Sequence, residues 1–236
     1  MVAVLLIAAM VWGCISSPVS EPCRTIRYEF RDSGERMYLT TDELNSLLQT
    51  EDIYPVGRAQ NHISLSRIES AVAHHPMVRH AECYMTPRYE VVISLEQRIP
   101  LLRVMTPGET YFIDTDRKVM PYRSSVQDHV LVVTGTVGAQ MASTQLADFA
   151  RWLQSNKYWR KRIHHVYVQS PHMIYLYQNK AEDGSEQPRI VLGDMQQYER
   201  KLNKMRIFIE KGKEAVNEQH YTEYDIRFDG QVVGRK

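Results

Sequence analysis

Between Cys23 and Leu95 the apolar residues change period in a definite order, and that order constrains the fold more than any other feature of the chain. Cys23 to Phe30, CRTIRYEF, alternates Ile26, Tyr28 and Phe30 with charged residues, the period of a half-buried strand. A turn is expected at Asp32, Ser33 and Gly34. Thr40, with Glu43 three residues on, makes a capping-box start for a short helix carrying Leu44, Leu47 and Leu48 on one face. Ser66 and Glu69 repeat the device for a second helix with Ile68, Ala71 and Val72 on one stripe. That helix must end near Pro76, because proline disfavours helix in the residue before it. Val78 to Tyr84 and Tyr89 to Leu95 then read as two strands separated by Thr86, Pro87 and Arg88. The order is strand, helix, helix, strand, strand. A three-stranded sheet can bury one face under two helices, so residues 23 to 99 can close a small core of their own.

Beyond Pro100 the pattern changes to short strands at close spacing: Leu101 to Met105, Thr110 to Ile113, Lys118 to Met120 and Val130 to Thr134. Turns separate them at Thr106 to Gly108, Asp114 to Arg117 and Gly135 to Gly138. Ser143 to Asn156 predicts a helix with Leu146, Phe149, Ala150 and Leu153 on one face. Strands are expected again at Ile163 to Gln169, Met173 to Gln178 and Arg189 to Leu192, the last two joined by the exposed hairpin loop AEDGSEQP. Asp194, with Gln197 in the capping position, opens a longer helix whose stripe is Met195, Tyr198, Leu202, Met205, Ile209 and Val216. In the final segment, YTEYDIRFDGQVV, the alternation predicts Tyr224, Ile226 and Phe228 facing one way and Glu223, Asp225, Arg227 and Asp229 the other, with a bulge or tight turn at Asp229-Gly230.

From Val2 to Ile15 the chain reads VAVLLIAAMVWGCI without a charge, and a polar stretch with two prolines follows. This is a membrane-directed segment, yet it falls short of the roughly 20 residues that a spanning helix prefers, and no Lys or Arg precedes it. An N-terminal anchor, a cleaved signal peptide and a lipoprotein signal using Cys14 are the three readings, and all place residues after Pro22 outside the cytoplasm. The 236-residue chain is 43% hydrophobic with 9% aromatics, which excludes disordered and collagen-like classes and suits two domains. The 29 Lys and Arg against 28 Asp and Glu leave no broad basic field, so nucleic acid is not an expected partner.

Candidate chemistry is sparse. Histidines cluster as His74-His75 with His80 and as His164-His165 with His172, but adjacent histidines diverge on strand and helix alike, so neither pair chelates as a unit. Asp114 and Asp116 lack the glycine and closing glutamate of a calcium loop and read as a hairpin turn. Gly135 to Gly138 lacks the residues of a phosphate or dinucleotide loop. No serine elbow or zinc-protease helix motif is present. Three cysteines are too few and too scattered for a disulfide framework or a four-cysteine zinc site, although Cys23 and Cys83 could pair in an oxidising compartment. Trp152, Lys157, Tyr158, Trp159, Arg160, Lys161 and Arg162 gather at a helix end. They read first as a C-terminus whose dipole favours cations, and second as a contact for anionic lipid head groups or cell-wall polymer.

Five segments, in order, resemble one family: SLSRIESAVAHHPMVRHAECYMTP, VVISLEQRIPLLRV, YFIDTDRKVMP, VLVVTG and YDIRFDGQVV. With the N-terminal apolar run, they look like the FtsQ/DivIB family of bacterial cell-division proteins, in its Bacteroidetes-like form. The resemblance implies an α+β fold in three parts: an N-terminal hydrophobic anchor and linker over 1–22, a POTRA domain of β-α-α-β-β order over 23–99, and a larger mixed β domain with two helices over 100–236. It implies a single-pass protein of the cytoplasmic (inner) membrane, its bulk in the periplasm and concentrated at the division septum. It implies a non-enzymatic scaffold with no cofactor and no metal, whose partners are FtsB/DivIC-like and FtsL-like coiled-coil proteins and other divisome proteins. The partner-binding role carries over to Tyr224, Ile226, Arg227, Phe228, Gly230, Val232 and Val233. An amphipathic strand placed at a sheet edge suits that role, since another chain can add to it by main-chain hydrogen bonds. The competing readings are a POTRA-bearing export or outer-membrane assembly component and a secreted enzyme. Against the family pattern, the basic cytoplasmic tail is missing and the loop Lys180 to Pro188 looks longer and more charged than usual.

Overall fold

The structure, a computed structural model, describes residues 21–31, 38–124, 126, 130–181, 184–217 and 221–236. The apolar run Val2 to Ile15 with Cys14, the turn expected at Asp32 to Gly34, and Glu182 and Asp183 of the charged loop lie outside them, as does the side chain of Val216. Among the described residues no helix is long and apolar enough to cross a membrane. The chain forms two compact units, Met1–Gln97 and Arg98–Lys236.

In the first unit the elements are β1 (Thr25–Phe30), α1 (Thr41–Thr50), a short 3-10 turn (Gln60–His62), α2 (Leu65–Ala73), β2 (Val78–Met85) and β3 (Glu90–Gln97). The sheet order is β1-β3-β2, with β1 parallel and β2 antiparallel to β3. The capping box at Thr40 and Glu43 is present in both directions. It starts α1 so that Leu44 and Leu48 lie fully buried, while α2 buries Ile68 and Val72 against Val91, Ile93 and Leu95 of the sheet. Each such side chain contributes about 1.5–3 kcal/mol of burial. The second expected box does not form. Ser64, two residues earlier than Ser66, caps α2 by accepting from the Arg67 amide, and Glu69 instead accepts from the Cys83 amide of β2 at 2.9 Å. Gln97, 1% exposed, accepts from the amides of Tyr38 and Leu39 and so fixes the entry to α1. Cys23 and Cys83 share this core and are both free thiols, with burial and the charge of Glu69 pushing Cys83 up to about 12.

The second unit is a nine-stranded sheet backed by two helices. Its elements are β4 (Pro100–Met105), β5 (Thr110–Asp114), β6 (Val119–Pro121), β7 (Leu131–Gly135), α3 (residues 139–155), β8 (Ile163–Ser170), β9 (Met173–Gln178), β10 (Arg189–Gly193), α4 (Tyr198–Asn217), β11 (Glu223–Asp225) and β12 (Val233–Arg235). The order is β12-β11-β10-β9-β8-β7-β4-β5-β6. Three neighbouring pairs are parallel, namely β4 with β7, β7 with β8, and β10 with β11, and α3 and α4 lie in the second and third of these crossovers. Both helices cover one face, where Phe149 and Leu153 of α3 and Leu202 and Met205 of α4 join Val133, Val166, Leu176 and Ile190 in one core. Tyr198 ties the helices together, its ring 5.2 Å from Phe149 and 5.4 Å from Trp152.

Two helix starts differ from expectation. The helix expected from Ser143 begins at Ala139, and its turn Ala142–Leu146 is a π turn, which absorbs one extra residue so that Ala142, Leu146 and Ala147 are all buried. Asp194 does not cap α4. Its carboxylate accepts from the Gln196 amide and from Lys201, Gln197 adopts a left-handed conformation, and the helix opens at Tyr198.

Asp114, 1% exposed, confirms the hairpin reading of its loop. It accepts from the amides of Asp116 and Lys118 and from the Arg98 guanidinium, which is a turn held by one carboxylate. Among the described residues no three of His, Cys, Asp and Glu come together as a metal site. His165, which burial and the charge of its neighbour His164 hold below the usual histidine value, bonds Thr134 at 2.8 Å and stacks on Tyr177. Of the aromatic and basic cluster, Trp159 is buried and Arg162 lies 3.8 Å over the Tyr158 ring while donating to the Tyr158 carbonyl.

Candidate partner-binding edge

The residues carried over by resemblance fall at one end of the large sheet. β11 pairs parallel with β10, with Ile190 opposite Tyr224, and antiparallel with β12, with Glu223 opposite Arg235 and Asp225 opposite Val233. β11 is therefore an internal strand and β12 is the edge. The long alternating strand expected from Tyr224 to Asp229 stops at Asp225.

The reason for the stop lies in neighbours far along the chain. The Ile226 amide still donates to Val191, but β10 ends at Gly193, a left-handed residue where a Cβ would meet Cγ of Arg227 at 2.8 Å. Beyond that point the backbone carbonyls turn to α4 instead of a strand: Lys204 donates to the carbonyls of Ile226 and Phe228, and Arg200 pairs with Asp229. Asp229 and Gly230 then make the expected tight turn, with Gly230 left-handed, and the chain returns as β12.

The two faces of β11 are both buried, by different chemistry. Tyr224 and Ile226 enter the helix-backed core, where the Tyr224 ring lies 5.8 Å from Phe208. Glu223 and Asp225 are equally buried, under guanidinium groups. Arg189 and Arg235 pair with Glu223, and Arg227 and Arg235 with Asp225, the Arg227 bond being 2.6 Å. Burial works against ionisation of Asp225, but hydrogen bonds and charge from Arg227, with the charge of Arg235, outweigh it and hold the carboxyl below the usual range. Arg235 thus fastens β12 to β11 by side chain as well as by ladder. Gly234 allows the same approach on the other face, where a Cβ would meet the Tyr221 ring at 2.6 Å.

The surface consequences sort the carried-over residues. Tyr224 and Ile226 are 4% and 0% exposed and offer no side chain outward. Phe228, expected to share their face, lies outside the strand at 45% exposure with the Arg227 guanidinium 5.6 Å from its ring centre. Gly230 is exposed in the turn, and Val232 and Val233 are half-buried, Val233 on the edge strand itself. No strand pairs with the far side of β12 among the described residues. The edge also depends on Arg200, Lys204, Arg235 and Gly234. Only Gly234, a glycine inside a strand pattern, carried a signal that could have been read beforehand.

A strand–helix–helix–strand–strand unit followed by this sheet has counterparts among known families. Residues 21–96 match the POTRA-like domain, and residues 99–235 match the domain described as FtsQ/DivIB, C-terminal related. No curated protein matches the chain. With the second match running from the start of the large sheet through its edge strand, the chain belongs to the FtsQ/DivIB family of cell-division proteins.

Proposed function

We propose that the protein is a non-enzymatic scaffold of the division machinery that links early and late division proteins by offering β12 as a docking edge. The family supplies the cell-division role and divisome partners in general. The observation that carries the finer reading is the edge itself: a strand fastened inward by Arg235 and Gly234, with no strand paired on its far side among the described residues and Phe228 exposed in the segment before it. An edge strand presents unpaired amides and carbonyls that an extended partner segment satisfies, and an adjacent exposed aromatic adds area and selectivity. The partners in this reading are FtsB/DivIC-like and FtsL-like coiled-coil proteins. The apolar run Val2 to Ile15 tethers the chain to the cytoplasmic membrane, with both units outside the cytoplasm at the septum.

The test is capture of partners from the native membrane extract by the full chain, beside one copy carrying both Phe228→Ala and Val233→Asp. Mass spectrometry identifies what is bound, and circular dichroism compares the folds. The unaltered chain is expected to recover small single-span coiled-coil proteins, and the equally folded double variant at least about tenfold less of them. Equal recovery by both would remove the edge from the interface, and recovery of outer-membrane assembly components instead would favour an export role.

A further inference from the structure

One end of the large sheet, away from the strand edge, holds a cavity of about 470 Å³ among Leu101, Arg103, Leu153, Gln154, Arg160, His164 and their neighbours. Its geometry comes from three adjacent strands. Arg103 of β4 is level with Val132 of β7, and Val132 is level with His165 of β8. Between Ile163 and His165 the pairing of β8 with β9 shifts by one, so His164 is the extra residue of a bulge. A bulge re-aims a side chain, and here it sends His164 to the cavity while His165 stays in the ladder. Arg160 arrives from the turn after α3.

Among the described residues the lining carries positive charge only. The described lining residues include two arginines and a histidine and no aspartate or glutamate. The Nε of Arg103 is fully buried and has no hydrogen-bond partner. Elsewhere in this unit Arg98 holds Asp114, Arg189 and Arg227 hold the acids of β11, and Arg206, whose Nε is likewise buried without a hydrogen bond, has the Glu210 carboxylate 3.7 Å away. Buried donors without acceptors are rare in native folds, so the Arg103 guanidinium, which lines the cavity, carries hydrogen-bonding capacity that its protein neighbours leave unused.

We infer that this cavity binds a phosphoryl group, held by Arg103 and Arg160 with His164 as a further donor. Two fixed positive charges match a doubly charged phosphoryl group better than a single carboxylate, and the guanidinium fork fits its oxygens. The volume exceeds what a phosphate alone fills, and Leu101, Leu153 and Ile163 supply an apolar wall for the organic body that carries it. A phosphorylated small molecule and a phospholipid head group share this chemistry.

The experiment uses the full chain in detergent with inorganic pyrophosphate and glycerol phosphate as soluble probes, read by thermal unfolding and by phosphorus NMR line width. Vesicles of phosphatidylglycerol and of phosphatidylcholine form the second arm. The expected result is a raised unfolding midpoint and a broadened phosphorus signal with the soluble probes, and at least tenfold weaker binding in Arg103→Gln and in Arg160→Gln. Arg160 is exposed, with no side-chain bond to another described residue, so its replacement tests the site without disturbing the core. Binding of phosphatidylglycerol vesicles that glycerol phosphate displaces assigns the lipid source, and binding of the soluble probes alone assigns the small molecule. Failure of every phosphate probe, equal binding by the variants, or binding of a glutamate-rich peptide only would overturn the proposal.

Discussion

Asp225 is wholly buried on a three-residue strand and remains ionised because two arginines face it, Arg227 from its own segment and Arg235 from the edge. Its folded-state pKa lies below the ordinary carboxylate value of about 3.9. The stability it contributes is therefore fully present above about pH 4 and is lost as the pH falls through the lowered value. Urea midpoints measured against pH should show a steep acid limb in the unaltered chain and a shallower one in Asp225→Asn; equal limbs would mean the carboxyl contributes nothing there. Gln97 shows the same logic without charge. Its side-chain oxygen accepts from the amides of Tyr38 and Leu39, some 58 residues away in sequence, and nothing in the residue's own surroundings announces that task. Residues of this kind escape sequence reading because their partners arrive only with the fold.

At the scale of elements, what is local was legible and what is contacted from afar was not. The capping box of α1 joins residues three apart, and its start was readable from Thr40 and Glu43 alone. Ser66 and Glu69 have the same spacing, yet Glu69 is drawn off by the Cys83 amide, a strand away, and Ser64 takes the cap. The same distinction governs the candidate edge. The span from Tyr224 to Val233 stood out by its alternation, but alternation cannot know that α4 lies across it. Lys204 ends the strand by taking the carbonyls of Ile226 and Phe228. Lys204→Met should leave those carbonyls to water, cost about 1–3 kcal/mol, and speed hydrogen exchange from Ile226 through Gly230 with little change in β8 and β9. Unchanged exchange in that segment would show that the turn holds itself.

For the whole molecule, the two units carry separate cores, one around Leu44, Val72 and Ile93 and the other around Phe149, Val166 and Leu202. Residues 21–97 and 98–236 are each expected to fold when produced alone, with a cooperative urea transition and dispersed amide resonances; a fragment that stays unfolded until the other is added would show that the cores are interdependent. The change from alternating strands with helices to close-set short strands after Pro100 made two units readable. The nine-strand order was not, since pairing of β4 with β7 and of β10 with β11 leaves no mark on either strand.

That last pairing sets a condition on when the proposed docking edge exists. β10 and β11 are parallel, so they cannot zip from a hairpin; the chain must first lay down α4 and return across it. Only then does β11 offer a ladder on which β12 can settle. An unfinished molecule has no β12 edge to present, so a partner that reads β12 would read completed folding at the same time. In the proposed docking, assembly through this strand would be its own quality control, excluding immature copies without any separate inspecting factor.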